Sequence, residues 1–250
     1  MATWDDLAQE LDAWQVSDRR ASFWWRDDDA VRVTPALERL LALSDEAETP
    51  VSLAVIPRDA DDELRDRLAR QPRANVLQHG WSHANHAPEG RQEEFGPHRP
   101  LPAMLDELAR GWRRIAGFAR SFPVFVAPWN RMDPHVLSYL GAAGLRAIST
   151  LGPRASPEAC AGVRQTNVHV DIIDWRSTRG FVGLFAALEQ VVTHLRQRRA
   201  GEVDADEPTG LMTHHGFHDE GCWRFIDDFL RQTRAHPAVR WLDAKDAFWP

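Results

Sequence analysis

The chain contains little cysteine, and this scarcity excludes two kinds of protein. Only Cys160 and Cys222 occur, far apart and without a Cys-x-x-Cys spacing. A disulfide-stabilised scaffold and a thiolate zinc site are therefore both excluded. The sequence also shows no basic and apolar leader, and no apolar run approaches the ~20 residues that span a bilayer. We therefore expect a cytoplasmic protein that does not enter a membrane.

A concentrated positive charge is absent as well. The formal net charge of the 250-residue chain is -7, with its basic residues spread along its length. Nucleic-acid binders usually carry a clustered basic surface, so we expect no nucleic-acid partner. The hydrophobic fraction of 43% suffices for one large core, and α/β barrels often reach this length as one domain.

Short apolar strands alternate with amphipathic helices after residue 20. The predicted strands are 21–26, 51–57, 74–78, 124–127, 145–150, 168–173, 210–213 and 239–242. The predicted helices are 35–43, 61–70, 101–120, 134–143, 182–199 and 220–235. This alternation indicates a parallel sheet, and about seven or eight such units close into a barrel. We therefore predict an α/β barrel over residues 21–250, preceded by an N-terminal helical extension over residues 1–20.

The segment His79-Gly80-Trp81-Ser82-His83 ends the third predicted strand. Histidines at this spacing can bring both imidazoles to one metal ion. Gly80 permits a sharp bend where the strand ends. A loop with incidental histidines is the alternative for this motif alone, and His86 is a rival second ligand.

Three consecutive carboxylates, Asp27, Asp28 and Asp29, follow the apolar segment Phe23-Trp24-Trp25. Such a run is unfavourable at the end of a buried strand unless a cation or a partner neutralises it. A solvated acidic loop is the alternative, but the aromatic residues before the run favour a buried strand. If a turn makes two carboxylates converge, one can bind a metal ion while the other acts as general base.

Further polar segments end three other apolar strands. Residues 210–213 lead into His214 and His215, and a histidine there can be a general acid or a core histidine. Residues 171–175 supply carboxylates that can orient a histidine or cap a helix. Residues 126–129 can form a wall of a site or an ordinary turn. All these features lie at the carboxyl ends of predicted parallel strands, which carry the active site in α/β barrels.

Taken in order, the segments resemble the motifs of the polysaccharide deacetylase superfamily (NodB homology, carbohydrate esterase family 4). The counterparts are Arg26 to Asp29, His79 to His83, Val126 to Trp129, Asp171 to Trp175 and Leu211 to His214. The resemblance implies a distorted (β/α)7-type, NodB-like barrel. It also implies a hydrolase that removes an acyl group, usually acetyl, from an N-acylated sugar or related amide.

The resemblance implies roles for individual residues. Asp29, His79 and His83 would bind one divalent metal ion, with zinc favoured by the ligand types and nickel or cobalt compatible. Asp28 would be the general base, and the pair Asp27-Asp28 is the alternative to Asp28-Asp29. The general acid would be His214, tuned by Asp174. Substrate would contact Trp81, Pro128, Trp129, Trp175, Leu211 and His215.

Two departures from the family pattern bear on activity. The orienting arginine of the third motif is Val126 here, and Arg26 and Arg131 are candidates to replace it. His79 is followed by Gly80 instead of serine or threonine. A degenerate NodB-like domain that binds carbohydrate or a partner without turnover is therefore the alternative. A non-haem iron oxygenase would share a His-His-Asp ligand set, but those enzymes usually have an antiparallel β scaffold.

Overall fold

Strands and helices alternate along most of the chain in the computed structural model, which describes residues 1–250. The strands are β1 (Ala21–Ala30), β2 (Val51–Val55), β3 (Ala74–His79), β4 (Ser121–Val126), β5 (Ala147–Ser149), β6 (Glu158–Cys160), β7 (Val163–Gln165), β8 (Val170–Asp171), β9 (Thr209–Thr213) and β10 (Val239–Leu242). The α-helices are α1 (Trp4–Val16), α2 (Pro35–Glu46), α3 (Asp62–Ala69), α4 (Leu101–Ile115), α5 (Pro134–Leu137), α6 (Leu184–Ala200), α7 (Glu220–Ala235) and α8 (Ala244–Phe248). Short 3-10 helices occupy Pro128–Asn130, Leu140–Ala143 and His215–Phe217. None of the helices has both the length and the apolar character that a membrane crossing requires.

The strands form one sheet that curls into a barrel. Its order is β6-β7-β5-β4-β3-β2-β1-β9-β8, parallel except for the β6-β7 pair, with β10 beside the first half of β1. Residues 163–171 run between β5 and β9, and a parallel bridge from Leu151 to Val168 joins them to the end of β5. The barrel wall therefore has seven members, which we call its staves: strands β1 to β5, this stretch and β9. The arrangement confirms the predicted distorted (β/α)7-type barrel.

Apolar side chains from every stave fill the inside of the barrel. They are Trp24, Ala54, Leu77, Val124, Val126, Ala147, Val168 and Met212. Helix α8 closes the end at which the strands begin, where the Phe248 ring packs edge-on against Trp24 at 5.3 Å. A larger apolar cluster packs the outside of the sheet against α1, α2, α3, α6 and α7. Because apolar residues fill one end, the polar residues at the carboxyl ends of the strands are left to line the other.

Helix α1 packs against α6 and belongs to the outer layer of the barrel. Its apolar residues Leu7, Leu11 and Trp14 are buried in the same cluster as the helices around the sheet. Arg199 of α6 donates hydrogen bonds to the buried Glu10 carboxylate, at 2.7 and 2.9 Å. The helix is therefore fixed to the barrel by both apolar and polar contacts.

Some elements differ from those predicted from the sequence. The predicted helix over 134–143 is divided into α5 and a 3-10 helix, which Gly144 ends with a left-handed φ of 90°. Strands β6 and β7 escaped prediction because three residues each are too few to show an apolar alternation. Strand β1 continues through the acidic run to Ala30, because those carboxylates find partners within the protein.

Buried polar side chains reinforce the bridge that closes the barrel. Glu207 is fully buried, and its carboxylate oxygens accept hydrogen bonds from the backbone N–H groups of Arg154 and Asn167, both at 2.8 Å. The Asn167 side chain accepts the N–H of Thr150 at 3.0 Å and donates to the Gly152 carbonyl at 2.7 Å. These contacts hold the segment that follows β5 against Asn167 and Glu207, beside the bridge from Leu151 to Val168. We call this place, where the barrel closes, the seam.

Candidate active site

A β-bulge near the carboxyl end of β1 directs the three consecutive carboxylates to different partners. The register of β1 against β2 shifts between Asp27 and Ala30, and Asp29 has a left-handed φ of 72°. Bulges of this kind re-aim side chains beside active sites. A regular strand would point Asp28 and Asp29 to opposite faces, whereas here both line one cavity.

Asp29 lies against the two histidines of the second motif. Its Oδ1 atom is 3.2 Å from Nε2 of His79 and 3.5 Å from Nε2 of His83. His79 is the last residue of β3, and its Nδ1 donates a hydrogen bond to the Val126 carbonyl at 3.1 Å. In the neutral ring the proton is therefore on Nδ1, and Nε2 is free to bind a metal ion.

A buried carboxylate that sequence reasoning missed holds the loop between these histidines. Glu94 accepts hydrogen bonds from the backbone N–H groups of Trp81 and Ser82 and from the Ser82 hydroxyl, at 3.2, 2.7 and 2.8 Å. Gly80 has a φ of 55°, and a Cβ there would lie 2.1 Å from Glu94 Oε2. His83 also has a positive φ, of 54°. Because such backbone is locally unfavourable for histidine, the contacts of the loop must maintain the position of its ring.

The donor set of Asp29, His79 and His83 fits a divalent metal ion. The candidate ligand atoms lie within 4.8 Å of one another. Asp29 Oδ1 is buried and accepts no hydrogen bond, which is unfavourable for a carboxylate oxygen unless a cation lies beside it. Two imidazole nitrogens and one carboxylate leave a coordination position open, as in catalytic zinc sites.

Neighbouring charges shift the pKa values of all three groups. Burial alone would raise the pKa of Asp29, but the His79 imidazole beside it, with smaller contributions from His214 and His83, outweighs burial and holds this pKa well below its ordinary value. Burial lowers the pKa of His83, and the charge of His79 lowers it further. Burial alone would also lower the pKa of His79, but the Asp28 and Asp29 carboxylates raise it. Ionised Asp29 and neutral His83 are the forms that bind metal, whereas a metal ion must compete with a proton at His79.

Arg26 is fully buried and holds Asp28 in place. Its Nη2 donates hydrogen bonds to Asp28 Oδ2 at 2.9 Å and to Asn130 Oδ1 at 2.8 Å. Arg131, the other candidate for the arginine that Val126 replaces, donates to a backbone carbonyl at 3.0 Å. Of the two candidates, Arg26 is therefore the one that orients a carboxylate of the site.

His214 lies beside Asp28 in the cavity. Its Nε2 is 3.8 Å from Asp28 Oδ2, and the Trp175 ring packs against the imidazole with 4.7 Å between ring centroids. Asp28 Oδ1 and His214 Nδ1 are buried without hydrogen-bond partners. A carboxylate and an imidazole with free atoms beside a metal site can act as general base and general acid.

Asp174 makes no hydrogen bond to His214, the histidine that the resemblance would have it tune. Its Oδ1 accepts hydrogen bonds from the backbone N–H groups of residues 176–177, both at 3.1 Å, and so caps a turn. Asp171 lines the cavity with His214 and accepts a hydrogen bond from the Trp175 indole at 2.8 Å. Burial raises the pKa of Asp171, and the charge of His214 opposes this rise. Because β8 ends at Asp171, the turn that follows decides where the later carboxylate points.

The residues predicted to contact substrate divide into two groups. Trp129 and Trp175 line the cavity, and the Trp129 ring packs against His83 with 4.3 Å between centroids. The remaining four do not line it, namely Trp81, Pro128, Leu211 and His215. Leu211 is part of the main core, and Trp81 packs under the Arg110 guanidinium at 4.6 Å.

Asp27, which the sequence offered only as a member of the alternative pair Asp27-Asp28, pairs with His215 beneath the site. Its Oδ2 accepts hydrogen bonds from the Thr213 hydroxyl at 2.6 Å and the His215 backbone N–H at 3.0 Å, and Oδ1 meets His215 Nδ1. Burial alone would raise the pKa of Asp27, but the charge of His215 lowers it. Burial alone would lower the pKa of His215, but Asp27 raises it. The pair ties the end of β9, and with it His214, to β1.

The cavity at the carboxyl ends of the strands has a volume of about 490 Å³. Some of its lining residues have no counterpart in the sequence prediction, namely Gln92, Asn130, Leu151, Arg179, Met212 and Phe217. Most of them belong to segments that follow strands, where no periodic pattern marks a side chain as lining a cavity.

Comparison with known proteins identifies the fold. No protein-family model and no curated protein sequence matches the chain. A Mycobacterium smegmatis protein assigned to the polysaccharide deacetylases is similar in structure, with a TM-score of 0.64 and 16% identity over 92% of this chain and 89% of that one. The Bc1960 peptidoglycan N-acetylglucosamine deacetylase, in complex with an N-hydroxybenzamide, gives a TM-score of 0.59 and 11% identity over 94% and 95%. A mutant of BA3943, a family 4 carbohydrate esterase pseudoenzyme with restored activity, gives 0.54 and 14% over 92% and 68%.

These likenesses confirm that the chain has the NodB-like fold of polysaccharide deacetylases. The same fold occurs in a deacetylase and in a pseudoenzyme. The activity of this chain must therefore be argued from its own residues.

Proposed function

We propose that this chain is a metal-dependent hydrolase that removes an acyl group, acetyl in the simplest case, from an N-acylated sugar or a related amide. The proposal depends on one observation: Asp29 meets His79 and His83 at 3.2 and 3.5 Å, with Asp28 in the same cavity. These are the groups that hydrolysis by an activated water requires. The fold, shared with a peptidoglycan deacetylase, agrees with amide chemistry.

Asp29, His79 and His83 would hold one divalent ion, for which the ligand types favour zinc. When bound, the ion would activate the attacking water and polarise the carbonyl of the amide. The chain supports this centre from two sides. The Val126 carbonyl orients the His79 ring, and the buried Glu94 carboxylate holds the loop that carries His83.

Asp28 is the proposed general base. Arg26 engages its Oδ2 at 2.9 Å, and Oδ1 is left without a hydrogen bond. Oδ1 is thus the atom that accepts the proton of the attacking water. Because Arg26 is fully buried, the carboxylate cannot turn away without leaving a buried guanidinium unpaired.

His214 is the proposed general acid, which protonates the leaving nitrogen. Its Nε2 lies 3.8 Å from Asp28 Oδ2, so the base and the acid face one reacting centre. We assign to Asp171 the place that the family resemblance gives to Asp174, since Asp171 shares the cavity wall with His214. Trp129 and Trp175 supply aromatic faces for a sugar ring.

Binding without turnover is the second candidate function, and it is favoured by Val126 at the position of the family's orienting arginine. Arg26 weakens this alternative, because its guanidinium reaches Asp28 from β1 instead. The two candidates differ in whether acetate is released.

Elemental analysis and an acetate-release assay on N-acetylated sugars test the proposal. Asp28→Asn should keep the metal and lose at least ~100-fold in turnover, whereas His79→Ala should lose both. His86→Ala, which alters an exposed histidine near the same loop, is the control and should keep both. A wild-type chain with metal but no acetate release would support binding without turnover, and a metal-free chain would contradict both site and mechanism. Loss of the metal in Asp28→Asn would reassign Asp28 as a ligand.

A further inference from the structure

Two arginines at the mouth of the cavity have no carboxylate partner. Arg131 follows the 3-10 helix after β4, and one of its N–H groups donates to the Gln92 carbonyl at 3.0 Å. Arg179 lies in the exposed turn after β8 and lines the same cavity. Both guanidinium groups therefore keep N–H donors that no carboxylate of the chain engages.

The carboxylates of the cavity, in contrast, have neighbours other than these arginines. Asp28 is paired with Arg26 at 2.9 Å. Asp29 lies against the histidines of the metal site. Asp171 accepts hydrogen bonds from the Trp175 indole and from the backbone N–H of Ile173, at 2.8 and 3.1 Å. Neither arginine therefore forms an ion pair with a carboxylate of the cavity, and both are left to meet an anionic ligand.

The two cations stand at the cavity of a chain whose formal net charge is -7. A guanidinium matches the geometry of a carboxylate or phosphate and can donate two parallel hydrogen bonds to it. Arg131 is half-buried and fixed by its carbonyl partner, so part of the cost of ordering it is already met before a ligand arrives. An anion at this mouth would gain the contacts that neutral sugars leave unused.

We propose that the substrate carries an anionic group, a carboxylate or a phosphate, and that Arg131 and Arg179 bind it at the mouth of the cavity. The inference rests on the proposed function, whose cavity it uses, and it narrows the substrate class to acidic N-acyl sugars. Arg131 and Arg179 then determine specificity and take no part in proton transfer.

Calorimetric titration of the metal-loaded chain with four probes tests this inference independently of turnover. The neutral probes are N-acetylglucosamine and its larger disaccharide, diacetylchitobiose. The anionic probes are N-acetylmuramic acid, which adds a carboxylate, and N-acetylglucosamine 1-phosphate. We expect at least one anionic probe to bind about tenfold more tightly than N-acetylglucosamine, and the better of the two identifies the anion. This advantage should shrink as salt is raised.

Substitutions locate the effect. Arg131→Gln and Arg179→Gln should each reduce the ratio of anionic to neutral affinity toward one. Arg176→Gln, an exposed arginine of the same turn that does not line the cavity, is the matched control and should keep the ratio. Equal affinity for all four probes, no measurable binding of any, or the same loss in Arg176→Gln would overturn the inference. So would diacetylchitobiose binding as tightly as the anions, because size would then replace charge as the cause.

The acetate-release assay separates this inference from the proposed function. Acetate released equally from neutral and anionic probes would leave the hydrolase standing and overturn the preference for an anion. Tighter binding of anions without acetate release from any probe would support the anion site and contradict the hydrolase.

Discussion

The contact between Arg26 and Asp28 offers the sharpest test of how this site is built. Arg26→Met replaces arginine with an unbranched apolar side chain about as long as the aliphatic part of arginine, and it removes the guanidinium. The wild-type side chain is fully buried, and its hydrogen bonds to Asp28, Asn130 and Ser149 are 2.9, 2.8 and 2.8 Å long. The substitution leaves the Asp28 carboxylate, only 3% exposed, without its cation.

Removing one partner of a buried ion pair costs about 3–5 kcal/mol, mostly because the other charge stays buried and unpaired. We therefore expect the free energy of unfolding of Arg26→Met to fall by an amount in this range. The ion pair of Arg58 with Asp59 provides the contrast, since its side chains are 51% and 42% exposed. Arg58→Met should change the free energy of unfolding by no more than about 0.5 kcal/mol.

Urea unfolding followed by tryptophan fluorescence measures both changes, provided that the dependence on denaturant stays the same. The double variant Arg26→Met/Asp28→Asn removes the unpaired carboxylate and should regain at least about 1 kcal/mol over the single variant. A loss below about 1 kcal/mol in Arg26→Met, or no recovery in the double variant, would refute the view that this pair is a tightly coupled buried unit.

Three further predictions concern the surroundings of the site. Gly80→Ala should lower the melting temperature far more than Gly90→Ala, because its Cβ would lie 2.1 Å from a carboxylate oxygen whereas the Gly90 site is open; equal shifts would contradict this packing. Glu94→Gln should weaken metal binding about tenfold in a chelator competition by loosening the ligand loop, and the exposed Glu89→Gln should not. The pKa of His215 is raised above its ordinary value of 6.5, so its stabilising effect is complete below about pH 6.5 and is lost as pH rises through the raised value. The difference in unfolding free energy between wild type and His215→Gln should therefore narrow as the pH becomes alkaline. A difference that widens would contradict the raised pKa of His215.

Much of the site could be predicted because parallel strands bring their carboxyl ends together. His79 and the acidic run are separated by some fifty residues in sequence, yet the strand-end rule places them in one cavity. The sequence also located most strands of the barrel, because strands that are buried on both faces read as nearly continuous apolar runs.

The separate partner of each carboxylate in the acidic run could not be predicted from the sequence. Asp27, Asp28 and Asp29 are one feature in the sequence, but the bulge in β1 gives each a separate partner. A bulge depends on the register of the neighbouring strand, which local sequence does not specify. The exchange of Asp174 for Asp171 on the cavity wall has a similar cause, because the turn after β8 departs from strand alternation.

Glu94 and Glu207 were missed for a different reason. Both are carboxylates in loop-rich segments, where acidic residues are usually solvated, yet both are fully buried. Each accepts hydrogen bonds from backbone N–H groups distant in sequence, so only the assembled fold explains its burial.

The seam of the barrel is the place where we expect the sheet to open locally first. Only one pair of bridge partners, Leu151 and Val168, extends the β5-β7 pairing there, whereas β1 pairs with β2 on one side and with β9 on the other over several residues. Local opening favours segments with few backbone ladder bonds, so even with the Glu207 and Asn167 side-chain contacts we expect the amide hydrogens of Gly152 and Val168 to exchange with solvent before those of β1. Leu151 lines the cavity, while the proposed ligands lie on β1, at the end of β3 and just after it. We therefore expect the cavity wall at Leu151 to open more readily than the strands that carry the proposed ligands.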